Sequence, residues 1–147
     1  DLSGEKRYDR WKAYSQSKLA NVMFALELNL RLEQSGSTVR SLAAHPGLAR
    51  TNLQSLSVAS SGAWQEALAY RLMDPMFQSA AQGALPQLLA ATCPSAKGGE
   101  HYGPGQLGGM RGAPKQQPVA PAARSQEQRS RLWSVSSELI QTRSAAL

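Results

Sequence analysis

Apolar residues recur at helical spacing between residues 13 and 34. They form two neighbouring stripes, which are Leu19, Val22, Met23, Leu26 and Leu30 in the first and Phe24, Leu28 and Leu32 in the second. This spacing predicts a long helix that is apolar on more than one face. A helix of that breadth must be buried on two sides, in a domain core and against either a neighbouring helix or another subunit. Gly36 is predicted to end the helix, because glycine readily takes the left-handed conformation that follows a last helical turn.

Beyond Gly36 the pattern changes to a short strand. The run TVRSLAAHPG is typical of a strand that stops at Pro46 and Gly47. The order of helix, turn and strand is half of an α/β crossover unit. The serine-rich residues 53–62 are predicted to form a loop.

Three more helices and one more strand complete the predicted elements. Helical spacing returns at residues 63–73 and 78–92, and a last helix over 125–141 opens on Ser125 and Gln128, which are spaced as a capping box. The glycine-rich residues 98–117 are predicted to be mostly loop, with one brief strand at about 100–102. Two strands are too few for four helices, since a parallel pair alone leaves its edges open. We therefore expect further strands before residue 1.

Composition narrows the class of protein. The chain has 147 residues, of which 41% are hydrophobic and 18% charged, as in one ordinary globular domain. No apolar run is long enough for a membrane span, and the start DLSGEKRYDRWK lacks the apolar region of a signal peptide. A soluble, cytoplasmic protein is expected. The single cysteine, Cys93, excludes an internal disulfide and lacks the neighbours of a metal site, so no metal is predicted.

The net charge of +6 raises the question of an anionic partner. The basic residues are scattered, the longest basic run is Lys6-Arg7, and no nucleic-acid-binding motif is present. Nucleic acid is therefore not predicted as a partner. A basic lining for a phosphate-bearing cofactor remains open.

The stretch YSQSKLAN places Tyr14 and Lys18 four residues apart at the head of the long helix. Residues at this spacing share a helix face, so the phenol and the ammonium group can point into one space as an acid–base pair. The other interpretation is an ordinary helix face, with the tyrosine half buried and the lysine reaching water. For this spacing taken alone, the ordinary face is the better interpretation.

Several of these features together resemble one family. The run YSQSKLAN, the broad helix behind it, and HPGLART one strand later resemble the second half of short-chain dehydrogenases/reductases. The resemblance is greatest to the branch with retinol dehydrogenases, protochlorophyllide reductases and WW-domain oxidoreductases, and it runs in order over residues 1–140. It implies an α/β fold, with residues 1–147 forming the C-terminal catalytic and substrate-binding part of one Rossmann-like, doubly wound domain with a parallel sheet. The N-terminal nucleotide-binding half of that domain is absent from this sequence.

The resemblance assigns roles to the two helix residues. Tyr14 would be the general acid/base that exchanges a proton with the substrate oxygen while hydride moves between the substrate carbon and a nicotinamide. A tyrosine with an ordinary pKa of about 10 is a poor base near neutrality, and a nearby cation favours the phenolate. Lys18 would supply that cation and also bind the nicotinamide ribose.

The resemblance also implies cofactor contacts after the strand. Pro46 ends the strand, and Gly47 would let the backbone approach the cofactor. The backbone at Ala49 would contact the nicotinamide carboxamide, and the Thr51 hydroxyl would bind carboxamide or phosphate. The family usually has valine or isoleucine at the position of Ala49. For His45, a structural role before the turn is preferred over a catalytic one.

Parts of the family pattern are missing. No strand, glycine-rich turn and helix for a pyrophosphate is present, and GGEHYGPGQLGGMRG does not replace it because no strand and helix frame it. The catalytic serine is missing too: Ser3 is not assigned to that role, and Ser15 and Ser17 are predicted to be structural. We therefore expect a truncated, inactive fragment that neither binds dinucleotide tightly nor turns over substrate. The alternative is a non-catalytic interaction module that pairs with a full-length reductase through its apolar helix.

The substrate is expected to be a small lipophilic carbonyl or alcohol. The segment after Thr51 is the variable substrate-binding region of the family, and here it is apolar, with Leu53, Leu56, Val58, Trp64, Leu68 and Tyr70. The cofactor is NADP or NAD, because the residue that decides between them lies in the missing half. The resemblance favours NADP. A homo-oligomer through the helix 14–34 is also expected.

Overall fold

The computed structural model describes residues 7–50 and 64–144. Its helices are α1 (Arg10–Gln34), α2 (Trp64–Met73), α3 (Ala80–Thr92) and α4 (Gln126–Ser144), and its strands are β1 (Ala43–Ala44), β2 (His101–Gln106) and β3 (Arg111–Gln117). Short 3-10 turns lie at Asp74–Met76, Leu107–Gly109 and Pro121–Ala123. The four predicted helices and the mixed α/β class are confirmed.

The chain divides into two compact units. The first comprises Asp1–Ala43, Lys97–Glu100 and Pro118–Leu147, and the second comprises Ala44–Ala96 and His101–Gln117. Each unit has buried apolar residues of its own, among them Met23 in the first and Phe77 in the second. The assignment of residues 1–147 to one domain stays a prediction.

Local hydrogen bonds determine where α1 begins and ends. The Asp9 side chain accepts from the Lys12 backbone N–H over 2.9 Å, so the helix starts three residues before the predicted position. At the other end Gly36 has a φ of +71°, and its N–H donates to the carbonyl of Glu33. Ser37 N–H donates to the carbonyl of Leu32. This pair of bonds is a Schellman motif, and it confirms Gly36 as the helix stop.

In the first unit α1 packs against α4. The rings of Phe24 and Trp133 are stacked, with centroids 5.4 Å apart and planes 7° apart. The 3-10 turn before α4 also contacts α1, and its Ala123 is fully buried. Helix α1 was predicted to be buried on two sides, and on one of them its packing partner is a neighbouring helix of the same chain. The second stripe of the sequence pattern supplies that contact through Phe24.

The start of α4 uses half of the predicted capping box. Ser125 Oγ accepts from the Gln128 backbone N–H over 3.3 Å. The helix continues to Ser144, three residues beyond the predicted end. Its serines at 134, 136 and 137 each donate to the carbonyl four residues earlier, so these hydroxyls are satisfied within the helix.

The second unit contains a small mixed sheet in the order β1-β2-β3. The His45 backbone N–H donates to the Tyr102 carbonyl over 2.9 Å beside β1 and β2, and β2 pairs antiparallel with β3. The prediction that residues 98–117 are mostly loop was therefore wrong, because they form a hairpin. Their prolines and glycines hide the alternation that marks strands. Pro104 pairs opposite Pro114, where neither residue has an N–H to donate.

Two predicted boundaries also change. The strand expected from TVRSLAAHPG is reduced to the two residues of β1. The helix expected from residue 78 begins later, because Ser79 is its N-cap and forms a capping box with Gln82. Gln78 instead has a parallel bridge to Ala49. Helix α3 packs on β2 and β3, with Gly83 and Pro86 buried.

Within the described part of the chain, none of the helices combines the length and the apolar character needed to cross a lipid bilayer. The cytoplasmic location stays a prediction.

Candidate active site

Tyr14 and Lys18 lie on one face of α1, in the first unit. Lys18 Nζ is 5.4 Å from the centroid of the Tyr14 ring, and both side chains are exposed, Tyr14 to 51%. The predicted spatial proximity of the phenol and the ammonium group is therefore present. Exposure leaves the phenol accessible to a reactant, which a buried core tyrosine would not be.

Of the two serines beside this pair, Ser17 has an ordinary structural role. Ser17 Oγ donates to the Tyr14 carbonyl over 2.7 Å within the helix, and Ser15 is exposed. The structural interpretation of Ser17 is confirmed. Neither hydroxyl is needed to explain the position of the phenol.

In the second unit the predicted cofactor residues lie on an extended segment after β1. The Leu48 N–H donates to the Met110 carbonyl over 2.7 Å, and the Leu48 carbonyl accepts from the Gln78 N–H over 2.8 Å. The Arg50 N–H donates to the Gln78 carbonyl over 2.9 Å. These bonds hold residues 46–50 in one defined conformation between the hairpin and the segment before α3.

The peptide groups of Ala49 have a suitable orientation for a ligand. In a parallel bridge the bonds to Gln78 come from the residues on either side of Ala49, so its own N–H and carbonyl face away from Gln78. Among residues 7–50 and 64–144, no hydrogen bond reaches either group. A donor and an acceptor side by side are complementary to a primary carboxamide. The residues present therefore fit the predicted nicotinamide contact at Ala49, although Ala49 itself is only 4% exposed.

The structure gives a packing reason for glycine at position 47. Its φ is +64°, and a Cβ at this position would collide with the Met110 carbonyl oxygen and lie 2.7 Å from Pro104 Cγ. The glycine thus permits close packing of the turn on the hairpin. Whether Gly47 also lets the backbone approach a cofactor stays a prediction.

The sequence analysis missed Gln78 as a residue of this site. Its side chain is buried, Nε2 donates to the Pro46 carbonyl over 2.7 Å, and Oε1 accepts from the Gly112 N–H over 3.1 Å. One side chain thus joins the Pro46 turn to β3. No signal in the sequence marks it, because both partners are backbone groups more than thirty residues away.

His45 has the structural role that was preferred for it. Its Nδ1 accepts from the Gly47 N–H over 3.2 Å, and its ring lies 5.1 Å from that of His101. A Cβ on Gly103 would collide with the His45 ring, so the ring is closely packed. Burial, and to a smaller extent the charge of His101, lowers the pKa of His45 below its ordinary value. A neutral imidazole keeps Nδ1 available as an acceptor.

The predicted site residues form two groups. The structure brings Tyr14 and Lys18 together in one unit, and Pro46, Gly47 and Ala49 together in the other. Thr51 lies outside the described residues. Within the described residues there is no cluster of three or more potential metal ligands.

Comparison with known proteins decides the family. The chain is 38% identical to human retinol dehydrogenase 12 over 140 residues, which are 95% of this chain and 40% of that protein. It is 36% identical over 139 residues to the WW domain-containing oxidoreductase of Pongo abelii, covering 92% of this chain and 30% of that protein. No family model matches the chain. The chain belongs to the short-chain dehydrogenase/reductase family.

A solved structure shares the fold of this chain. A crystal structure of a protein from Mycobacterium paratuberculosis matches with a TM-score of 0.66 and 30% identity, over 96% of this chain and 44% of that chain. The chain spans about two fifths of the length of human retinol dehydrogenase 12. This short-chain dehydrogenase/reductase chain therefore corresponds to one part of its longer relatives, and its similarity to retinol dehydrogenases and a WW domain-containing oxidoreductase confirms the predicted branch for those two groups.

Proposed function

We propose that this chain supplies the acid–base part of an NAD(P)-dependent oxidoreductase that interconverts a lipophilic alcohol and its carbonyl. The observation that carries the proposal is the exposed Tyr14 phenol with the Lys18 ammonium beside it on α1. Relatives named as dehydrogenases and as an oxidoreductase support the reaction class. The chain covers only part of these relatives, so the activity proposed is that of a complete protein that contains it.

In this proposal Tyr14 Oη handles the proton. During alcohol oxidation the phenolate takes the hydroxyl proton while hydride leaves the substrate carbon, and during reduction the phenol returns a proton to the carbonyl oxygen. A bound nicotinamide would accept or donate the hydride. Lys18 places a positive charge beside the Tyr14 ring, and its ammonium is also available to donate to a ribose hydroxyl. One lysine can serve both groups because it shares the helix face with the tyrosine.

We propose that the extended segment after β1 holds the carboxamide of the nicotinamide. The outward-facing N–H and carbonyl of Ala49 support this assignment, and the bonds of Gln78 to Pro46, Leu48 and Arg50 keep them in position. Thr51 is assigned the neighbouring carboxamide or phosphate contact from the family resemblance alone. NADP is proposed over NAD on the same ground.

The substrate class is inferred from apolar side chains and from the relatives. Trp64 and Leu68 of α2 are 71% and 48% exposed, so they are available to an apolar ligand. Leu53, Leu56 and Val58 lie outside the described residues. Two relatives carry the names retinol dehydrogenase and polyprenol dehydrogenase, which refer to long apolar alcohols. Activity that rises with the chain length of a ketone series would support a lipophilic substrate, and activity that does not rise would contradict it.

We propose that these 147 residues by themselves lack tight dinucleotide binding. The glycines from Gly103 to Gly112 belong to the β2–β3 hairpin, which cannot present a helix N-terminus to a pyrophosphate. The test is a fluorescence titration of the isolated chain with NADPH, followed by an oxidation assay. We expect neither saturation at micromolar cofactor nor turnover. A micromolar dissociation constant with measurable NADPH oxidation would show that the chain is a working enzyme.

A homo-oligomer through residues 14–34 is proposed as the quaternary arrangement. Phe24 is 50% exposed even though it stacks on Trp133, so α1 keeps apolar surface at that contact. The same surface would serve the alternative function, pairing of a non-catalytic module with a full-length reductase. Light scattering of the chain alone and mixed with such a reductase distinguishes the two. Stable mixed complexes without activity would favour the module.

A further inference from the structure

Helix α2 ends at a short turn that two arginines hold in place. The helix stops at Met73, because Pro75 has no N–H for a further helical bond, and the 3-10 turn Asp74–Met76 follows. Among the elements that the structure describes, this turn is the main contact of α2. The position of α2 within the second unit therefore depends on how the turn is fixed.

Arg50 comes to this turn from the extended segment after β1. Its Nη2 donates to Asp74 Oδ2 over 2.8 Å and to the Asp74 carbonyl over 3.3 Å. A guanidinium group bound to two acceptors of one residue has a defined direction, which a single exposed ion pair does not give. A carboxylate at the C-terminal end of a helix is unfavourable for the helix dipole. The position of Asp74 is therefore explained by its arginine partner and not by the stability of α2.

Arg111 reaches the same turn from the start of β3. Its Nη1 donates to the Pro75 carbonyl over 2.9 Å. Carbonyl groups at the end of a helix lack partners within the helix, and basic side chains can supply them. Two arginines from separate parts of the chain thus bind two consecutive residues, Asp74 and Pro75. We call the side chains of Arg50 and Arg111 the arginine clamp.

The arginine clamp contributes little to the stability of the whole chain. The side chains of Arg50 and Asp74 are 56% and 49% exposed, and an exposed ion pair stabilises a fold only slightly. The segment that carries Ala49 is held independently, by backbone bonds of Leu48 and Arg50 to Gln78. Loss of the Arg50 side chain should therefore leave the fold and Ala49 in place and release the end of α2.

The helix that depends on the clamp carries exposed apolar side chains. Trp64, Leu68 and Leu72 are 71%, 48% and 73% exposed, and their spacing of four residues places them along one side of α2. At a rise of 1.5 Å per residue this stripe is about 12 Å long. It can bury a long apolar chain, and its distance from Ala49 decides which atom of that chain reaches the nicotinamide.

We propose that Arg50 is a positioning residue for the substrate. Through Asp74 it fixes α2 against the segment that carries Ala49, so that the apolar stripe and the proposed carboxamide contact keep one spacing. This inference rests on the proposed oxidoreductase function. It goes further because it makes the preference for long apolar substrates depend on the arginine clamp as well as on the apolar side chains.

The first test compares 2-octanone with acetone as substrates of a complete enzyme that contains this chain, with NADPH as the reductant. Only the longer ketone can extend from the reacting carbon to the stripe. Arg50→Gln should therefore lower kcat/KM for 2-octanone about tenfold and leave kcat/KM for acetone and the KM for NADPH unchanged. Arg131→Gln, at an exposed arginine of α4, is the matched control and should change none of these values. Equal losses for the two ketones, or no loss for either, would overturn the proposal.

The second test uses the 147-residue chain and does not depend on the oxidoreductase function. The Phe77 N–H donates to the Asp74 carbonyl over 3.1 Å. Arg50→Gln should raise the hydrogen-exchange rate of this amide about tenfold, whereas the Gly83 N–H, bonded to the Ser79 carbonyl, should keep its normal rate.

Asp74→Asn should change the Phe77 rate in the same direction, and the double variant should exchange no faster than Arg50→Gln alone, because the two side chains act as one unit. An unchanged Phe77 rate in Arg50→Gln would show that the clamp does not fix the turn. A faster Phe77 rate, together with a complete enzyme that reduces neither ketone, would refute the proposed function and leave the clamp established.

Discussion

The Gln78 side chain donates from Nε2 to the carbonyl of Pro46 over 2.7 Å, across thirty-two positions of sequence. Its Oε1 accepts from Gly112 at the same time. The turn at the predicted cofactor segment is therefore held by a buried amide that the family motif does not contain. The position of Ala49, and with it the proposed carboxamide contact, depends on this residue.

Replacing Gln78 by alanine should destabilise the chain by about 3 kcal/mol, because it leaves a buried carbonyl and a buried N–H without partners. Chemical denaturation measures the change. Gln16→Ala, at an exposed glutamine on α1, is the control and should alter the free energy of unfolding by less than about 0.5 kcal/mol. Similar losses in the two variants would show that the Gln78 bonds contribute little.

A comparison of Gly47→Ala with Gly36→Ala separates the loss of stability due to backbone strain from the loss due to packing. Both glycines have left-handed φ values, +64° and +71°, so each substitution has the conformational cost of about 1–2 kcal/mol. Only at Gly47 would the new Cβ meet other atoms, the Met110 carbonyl and Pro104, whereas nothing lies within 4 Å at Gly36. We expect Gly47→Ala to lower the free energy of unfolding at least about twice as much. Equal losses in a denaturation experiment would contradict the packing role.

His45 makes stability depend on pH in a defined direction. Its pKa in the folded chain is lowered, so the unfolded chain binds the proton first as pH falls. This contribution to stability is complete above the unfolded pKa of about 6.5 and is lost as pH falls below it. Protonation of Nδ1 also removes the acceptor of the Gly47 N–H. As the pH falls from about 7 to 5, the free energy of unfolding should therefore decrease less in His45→Asn than in the natural chain.

The two histidine signals in an NMR titration provide a further check, since the chain has only His45 and His101. Replacing His101 by glutamine should raise the pKa of His45 only in part, because burial is the larger cause and remains. A His45 signal that titrates at or above its ordinary value in the natural chain would show that the ring is not buried as described.

Tyr14→Phe in a complete enzyme that contains this chain should lower kcat by at least about two orders of magnitude, since it removes only the proton donor. The melting temperature should change little because the side chain is half exposed. Tyr8→Phe makes the same chemical change at a phenol that is 72% exposed and outside the proposed site, and it should keep full activity. If the Tyr14→Phe enzyme keeps more than about a tenth of normal activity, Tyr14 and Lys18 are not a catalytic pair and only form an ordinary helix face.

Lys18→Met should affect two steps. Loss of the ammonium removes the positive charge beside the Tyr14 phenol and a donor to the ribose, so kcat should fall and KM for the nicotinamide cofactor should rise together. Lys12→Met is the matched control, because Lys12 is an exposed lysine of α1 that contributes only its backbone N–H to the helix cap. If the KM for the cofactor is unchanged in Lys18→Met, Lys18 does not contribute to cofactor binding.

The sequence by itself determined the parts of this protein that depend on local periodicity. The apolar stripes of α1, its stop at Gly36 and the shared face of Tyr14 and Lys18 follow from spacings of three and four residues, which the α-helix always brings together. Tertiary structure decided what lies far apart in sequence. The β2–β3 hairpin, rich in glycine and proline, has no strand periodicity and is recognised by its pairing and by the packing of Gly103 on His45. The hydrogen bond of Gln78 to Pro46 and the ion pair of Glu27 with Arg129 depend on partners that only folding brings near, because polar partners distant in sequence leave no local pattern.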